Sequence, residues 1–156
     1  MTAHIRQASV SVFLLAAIMG GGAHAAPDGQ VVALTQTGCQ FLQPEGGFDH
    51  GFETIQAADC VRINAETGPG RLGRSVPLAL KPGRYVFRVT NRNVPYQLGF
   101  FLRAADPVQR AFRPKIVGGG IELGETQEYA VDLVPGSYVY SCPLNPTPDY
   151  PLIVRE

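Results

Sequence analysis

Five side chains could together do metal chemistry: Cys142, and Glu45, Asp49 and His50 from the Gly-rich stretch Q-P-E-G-G-F-D-H-G-F-E (43–53), with Asp149 in the Pro-rich stretch that follows Cys142. Carboxylate with imidazole suits iron or copper(II), and a thiolate draws copper(I) or zinc. Whether these residues meet depends on how the fold joins stretches about a hundred residues apart. Three readings of Cys142 stay open. It is a small inward-facing hydrophobe sharing a strand face with Tyr138 and Tyr140. Or it is one ligand of a non-standard metal site. Or it is a redox-active thiol, although no C-x-x-C accompanies it and no basic residue lies in its loop to lower its pKa.

The remaining chemistry is thin. A hydrolase would need His50 to meet Ser141 or Cys142 with an orienting carboxylate such as Asp49 or Asp149, and no nucleophile-elbow context is present. Gly118-Gly119-Gly120 is not followed by Lys and Ser/Thr, so it reads as a bulge or turn and not as a phosphate loop. No catalytic residue is assigned. The 13 basic and 13 acidic side chains balance, with no basic stripe, which argues against a nucleic-acid partner.

The chain opens with a targeting pattern. Arg6 precedes the apolar run Val10 to Met19, and Ala23-His24-Ala25 has the small-x-small form of a cleavage site. Residues 1–25 are expected to be a signal peptide cut between Ala25 and Ala26, the run being too short to span a bilayer. Residues 26–156 would then be one exported domain, periplasmic or secreted, with no membrane span. Removal of the leader takes both methionines (Met1, Met19) and two of the three histidines (His4, His24), leaving His50 alone. Of the three cysteines, Cys39 and Cys60 are the pair expected to form a disulfide in an oxidising compartment, on closeness in sequence.

The elements that must position these residues read as strands. Gln30 to Thr35, Gly38 to Leu42, Arg84 to Thr90, Tyr96 to Leu102, Thr126 to Leu133, Ser137 to Cys142 and Tyr150 to Val154 are short apolar or alternating runs bounded by Gly, Pro or Asn. Residues 49–73 are left open between helix and strand. Leu80-Lys81-Pro82-Gly83-Arg84-Tyr85-Val86-Phe87 is echoed by Leu133-Val134-Pro135-Gly136-Ser137-Tyr138-Val139-Tyr140, each with a Pro-Gly pair expected to make a type II turn before an aromatic strand. Gly99 to Leu102 (G-F-F-L) reads as a doubly buried strand, or else as an exposed patch for a partner. Regular strand spacing points to an all-β sandwich or barrel.

L-V-P-G-S-Y-V-Y-S-C-P-L-N after G-G-G-I-E-L-G-E-T-Q-E-Y-A-V-D-L, with the earlier Y-V-F-R-V-T-N-R-N-V-P-Y-Q-L-G-F-F, resembles the cupredoxin family over roughly Val76 to Val154. The resemblance implies a cupredoxin-like Greek-key β-sandwich and a copper corner ending at Cys142. A type 1 copper site takes two imidazoles, a thiolate and a weak axial ligand. Cys142 matches the thiolate, but Tyr96 stands where the first imidazole belongs. Asn145, Pro146, Thr147 and Pro148 occupy the region of the second, and Asp149 and Tyr150 that of the axial ligand. One histidine cannot supply two imidazoles. The resemblance therefore implies a cupredoxin-like accessory or binding protein with no cofactor, partnering a periplasmic or membrane protein of a metal-transport system. Two alternatives stand beside it. One is a metal-binding electron-transfer or ferroxidase-like protein holding copper or iron at a non-standard site of Cys142, His50, Glu45, Asp49 and Asp149. The other is a structural interaction domain.

Overall fold

The computed structural model describes residues 29–156; the expected leader, with Ala25 and Ala26 at its cleavage point, lies outside them. Alternation makes the sheets. In β4 (Gly83–Asn91), Tyr85, Phe87 and Val89 are buried on one face while Arg84 and Arg88 reach solvent. β4 lies at the centre of a four-stranded sheet, parallel to β1 (Gln30–Thr37) and antiparallel to β7 (Thr126–Leu133). The two-residue β2 (Gln40–Phe41) closes that sheet on the far side of β1.

The second sheet has the order β3 (Leu78–Leu80), β9 (Tyr150–Val154), β8 (Gly136–Ser141), β5 (Leu98–Ala104) and β6 (Ile116–Ile121). Its pairs are antiparallel except β3 with β9. Such strand orders need long crossovers between the sheets, and the result is the expected all-β sandwich. The core between the sheets is aromatic: Phe41 packs edge-on against Phe100, Tyr140 and Tyr150 at centroid distances of 6.0, 5.4 and 6.0 Å.

Several local expectations need correction. The strand expected over Gly38 to Leu42 shrinks to Gln40–Phe41, because Cys39 takes a left-handed backbone conformation at φ 63° and breaks the ladder. The two Pro-Gly pairs do not make type II turns: Gly83 and Gly136 open their strands at φ 149° and 158°, far from the value of about +80° such a turn needs. Gly118 to Gly120 belong to β6, and the register against β5 shifts between Leu98 and Phe100, so the bulge expected there is present.

The segment left open resolves into α1 (Ala57–Arg74). Asp59 Oδ2 accepts the N–H groups of Ile55 and Gln56 at 3.0 and 3.2 Å and caps its first turn. Its inward face is polar: Cys60, Asn64, Thr67 and Arg71 follow one another at helical spacing, and the chain carries no matching apolar stripe. Gly68, Pro69, Gly70 and Gly73 further mask the helix in the sequence. Among the described residues no helix is long and apolar enough to cross a membrane.

Candidate functional site

Two polar centres lie against α1, one at Cys60 and one at Arg71. The first surrounds Cys142, whose position just after β8 turns its side chain inward with those of Tyr138 and Tyr140, all buried. Its sulfur accepts the N–H of Gly99 at 3.3 Å and that of Asn145 at 3.2 Å. Burial pushes the thiol pKa up, although the N–H groups of Gly99, Asn145 and Leu144 favour the thiolate. Cys142 is thus a buried thiol with its lone pairs engaged.

Tyr96 meets Asn145, the first residue of the stretch 145–148 in which the resemblance would place the second imidazole. The Tyr96 hydroxyl lies 3.2 Å from Asn145 Oδ1 and 3.3 Å from Thr54 Oγ1. Asn145 also donates Nδ2 to the Thr37 carbonyl at 2.9 Å, accepts the Cys39 N–H at 3.0 Å, and brings Oδ1 to 3.0 Å from Cys60 Sγ. The expected disulfide joins Cys39 to Cys60, with Cα atoms 4.9 Å apart, and Cys142 is free. Gln36 donates Nε2 to the Gly99 carbonyl at 2.8 Å, so a layer of buried amides fills the corner.

These residues do not fit a type 1 copper ion. The phenol and the amide face each other instead of a common point, and burial holds the Tyr96 phenol above its ordinary pKa, away from the phenolate a metal would take.

The second centre is a buried ion pair. Glu45, on the 3₁₀ turn Gln43–Glu45, and Arg71, on α1, have side chains 5 % and 2 % exposed, with Arg71 Nη2 2.7 Å from Glu45 Oε1. Arg71 Nε adds bonds of 3.2 and 3.1 Å to the same carboxylate, His50 Nε2 stands 2.7 Å from Oε2, and Tyr150 donates its hydroxyl to Oε1. Burial acts to raise the Glu45 pKa, but the bonds from Arg71 and Tyr150, the Arg71 charge and the bond to His50 outweigh it and hold the carboxyl below its ordinary range.

Arg71 is fully engaged. Nη1 donates to Asn64 Oδ1 at 2.6 Å, Nη2 to the Cys39 carbonyl at 3.1 Å, and the guanidinium lies 5.0 Å from the Phe52 ring centroid. The His50 ring stacks on Phe52 and meets Phe48 edge-on. Together with Arg74, the residues Glu45, Phe48, His50 and Arg71 line a pocket of about 300 Å³.

The structure therefore brings Glu45 and His50 together and leaves the other three candidate ligands elsewhere. Asp49 accepts from Thr37 Oγ1 at 3.4 Å and from the Gly51 N–H at 2.9 Å. Asp149 takes a two-pronged bond from Arg103 Nη2 at 2.8 and 2.7 Å. Among the described residues no group of three or more His, Cys, Asp or Glu is placed to hold a metal ion. Sequence reasoning missed Arg71 altogether. Its signal was available in the helical spacing of Cys60, Asn64, Thr67 and Arg71, which a search for apolar periodicity passes over.

No family model matches the chain, and no curated relative matches it. Among solved structures it is similar to auracyanin B, with 13 % identity over 81 % of this chain and 89 % of that one and a TM-score of 0.49. It is similar to auracyanin A, described as a blue copper protein of the green thermophilic photosynthetic bacterium Chloroflexus aurantiacus, with 12 % identity, coverage of 80 % and 98 %, and a TM-score of 0.46. A reduced mutant of amicyanin gives 14 % identity, coverage of 84 % and 87 %, and a TM-score of 0.45.

Proposed function

We propose that this chain is an exported binding or accessory module, a cupredoxin-like sandwich that works without a type 1 copper centre. One observation carries the reading: Tyr96 and Asn145 are bonded to each other at 3.2 Å, and Asn145 is tied to Thr37, Cys39 and Cys142. Binding a metal there would strip buried donors and acceptors of their partners, at about 1–3 kcal/mol for each group left unpaired. The leader pattern of residues 1–25 and a disulfide, a bond that persists in oxidising compartments, support export. A periplasmic or membrane protein of a metal-transport system is the partner this reading takes.

A second reading, a metal-binding electron-transfer or ferroxidase-like protein, is favoured by the Glu45–His50 contact on the wall of the 300 Å³ pocket. Against it, Arg71 already holds the carboxylate, and its fixed positive charge repels a cation. Titration of the disulfide-intact protein with Cu(I), Cu(II), Fe(II) and Zn(II), without thiol reductants, tests both. No stoichiometric binding is expected. Binding lost in Cys142→Ser would overturn the first reading, and binding lost in His50→Ala would establish the second.

A further inference from the structure

The balanced charge of the chain is unevenly placed. Strand register puts the start of β4, the end of β7, the end of β5, the start of β8 and the end of β9 together. Gly83 faces Leu133, Ala104 faces Tyr138 and Gly136 faces Val154, at the end of the sandwich opposite the Cys142 corner. Lys81, Arg84, Arg110, Arg113, Lys115 and Arg155 stand at that end, against Asp106, Asp132 and Glu156 among the described residues. Of these cations only Arg84 is in an ion pair among the described residues, with Asp132 at 3.7 Å. Asp106 is spent on the Val108 N–H, which its Oδ1 accepts at 2.9 Å. The result is a positive face on a chain of zero net charge.

The loop from β5 to β6, with its 3₁₀ turn Pro107–Ala111, projects from this face. It is anchored at its base: the Ala105 N–H donates to the Ser137 carbonyl at 3.0 Å, Arg110 Nε to the Ala104 carbonyl at 3.3 Å, and Arg113 Nη1 to the Pro135 carbonyl at 2.9 Å. These acceptors are neutral, so both arginines keep their charge uncompensated. On the anchored loop Val108 and Phe112 remain 72 % and 80 % exposed, and Val134 in the adjoining β7–β8 turn is exposed as well. A cavity of about 230 Å³ lies under the loop, walled by Asp106, Gln109, Arg113 and Tyr138 and not by Val108 or Phe112. The two apolar tips therefore point away from the protein. β1 begins at this end too, opposite Tyr85, so the expected leader with its apolar run joins the domain on this face.

We infer that this end of the sandwich docks on the surface of an anionic lipid bilayer. Exposed apolar residues scattered singly need no account, but two on one anchored loop, ringed by unpaired cations, match what a lipid interface takes. Phe112 and Val108 enter the headgroup region, while Arg110, Arg113, Lys115 and Arg155 lie against lipid phosphates. Neither interaction suffices alone: two apolar side chains bury little area, and the attraction of surface charges is screened by salt within about 10 Å. The inference is independent of the metal-free reading of the corner. Docking in this orientation turns α1 and Cys142 away from the bilayer and leaves that end free for a partner.

The test is co-sedimentation of the leaderless, disulfide-intact protein with vesicles of phosphatidylcholine, with and without phosphatidylglycerol as a third of the lipid. Binding to the anionic vesicles is expected, weakening as salt is added, with at most a tenth of that affinity for the neutral ones. Val108→Ser/Phe112→Ser should weaken binding at least tenfold. Lys115→Gln/Arg155→Gln, whose side chains hold no other element, should weaken it about fivefold for each charge removed. Ile55→Ser alters an equally exposed apolar residue at the α1 end and should leave binding unchanged. No binding, equal binding to both vesicles, or wild-type binding by either double variant overturns the inference, as does a loss in Ile55→Ser, which would put the docking face at the other end. Capture by polyglutamate without binding to vesicles would mark the face as one for an acidic protein and would overturn it too. None of these outcomes touches the metal titrations that test the proposed function, so the two readings fail separately.

Discussion

Cys39 and Asn145, 106 residues apart in the chain, are joined by a backbone N–H to side-chain oxygen bond of 3.0 Å, and through it the two polar centres become one. The Cys39 carbonyl takes Arg71 and Asn64 on one side, and its N–H meets Asn145 on the other. The left-handed backbone of Cys39 points these two groups in opposite directions, and the contacts on both sides hold a conformation that costs a non-glycine residue about 1–3 kcal/mol.

Asn145→Ala should be among the most destabilising single changes in the molecule. It takes their partner from the Cys39 N–H and the Thr37 carbonyl and leaves the Tyr96 hydroxyl with Thr54 alone, and the expected loss is about 3 kcal/mol. Urea denaturation at neutral pH measures it. A loss under 1 kcal/mol would mean the corner is held by the disulfide alone.

Supplying the missing imidazoles gives the opposite kind of test. In Tyr96→His/Asn145→His, two imidazoles would stand beside the Cys142 thiolate, the set a copper(II) type 1 site takes. The double variant is expected to bind one Cu(II) and to show intense visible absorption, while the wild-type protein shows none. A colourless double variant that folds, as judged by circular dichroism, would show that imidazoles at positions 96 and 145 cannot turn from each other toward the Cys142 sulfur.

Acid should act on the Glu45–Arg71 pair. The folded-state pKa of Glu45 lies below the ordinary 4.5, so its contribution is fully present above that value and is lost as pH falls through the lowered folded-state pKa. Glu45→Gln should cost about 3–5 kcal/mol at neutral pH, because Arg71 is left buried and unpaired, and should flatten the decline below pH 4.5. Denaturant midpoints of both proteins between pH 3 and pH 7 provide the check; parallel curves would remove Glu45 from the acid response.

Gly118 is required by its neighbour. A Cβ there would come within 2.2 Å of the Tyr129 ring, so Gly118→Ala must displace that ring and is expected to cost about 1–3 kcal/mol. Adding Tyr129→Ala should recover most of the loss attributable to the clash, which a double-mutant cycle reads directly.

Cys142 should resist labelling. Its side chain is buried and its pKa raised, so a maleimide probe is expected to react at least a hundredfold more slowly in native protein than in urea. Comparable rates would mean that the corner opens readily in the folded state.

Strand periodicity and residue shortages are legible in the chain alone. Alternation in Arg84 to Thr90 and the run Thr126 to Leu133 announces the sandwich, because a half-buried strand must alternate and each residue's neighbours report on its own burial. The count of one histidine in residues 26–156 forbids two imidazoles from that stretch whatever the fold does. The disulfide was legible too, since Cys39 and Cys60 are the two of three cysteines that lie close in sequence. What fills the corner emerges only once distant stretches are packed together. Asn145 reads as a turn residue in a Pro-rich loop, and Arg71 as one more cation near a Gly-Pro break. Their roles come from partners 106 and 26 residues away, in Cys39 and Glu45. A buried polar network leaves no periodic mark on the chain, because each of its members is specified by one distant atom and not by the alternation of its neighbours. For the same reason α1 could not be read: what holds its inward face is a disulfide, the carbonyls of Cys39 and Pro146 and an ion pair, and none of these repeats along the helix as an apolar stripe would.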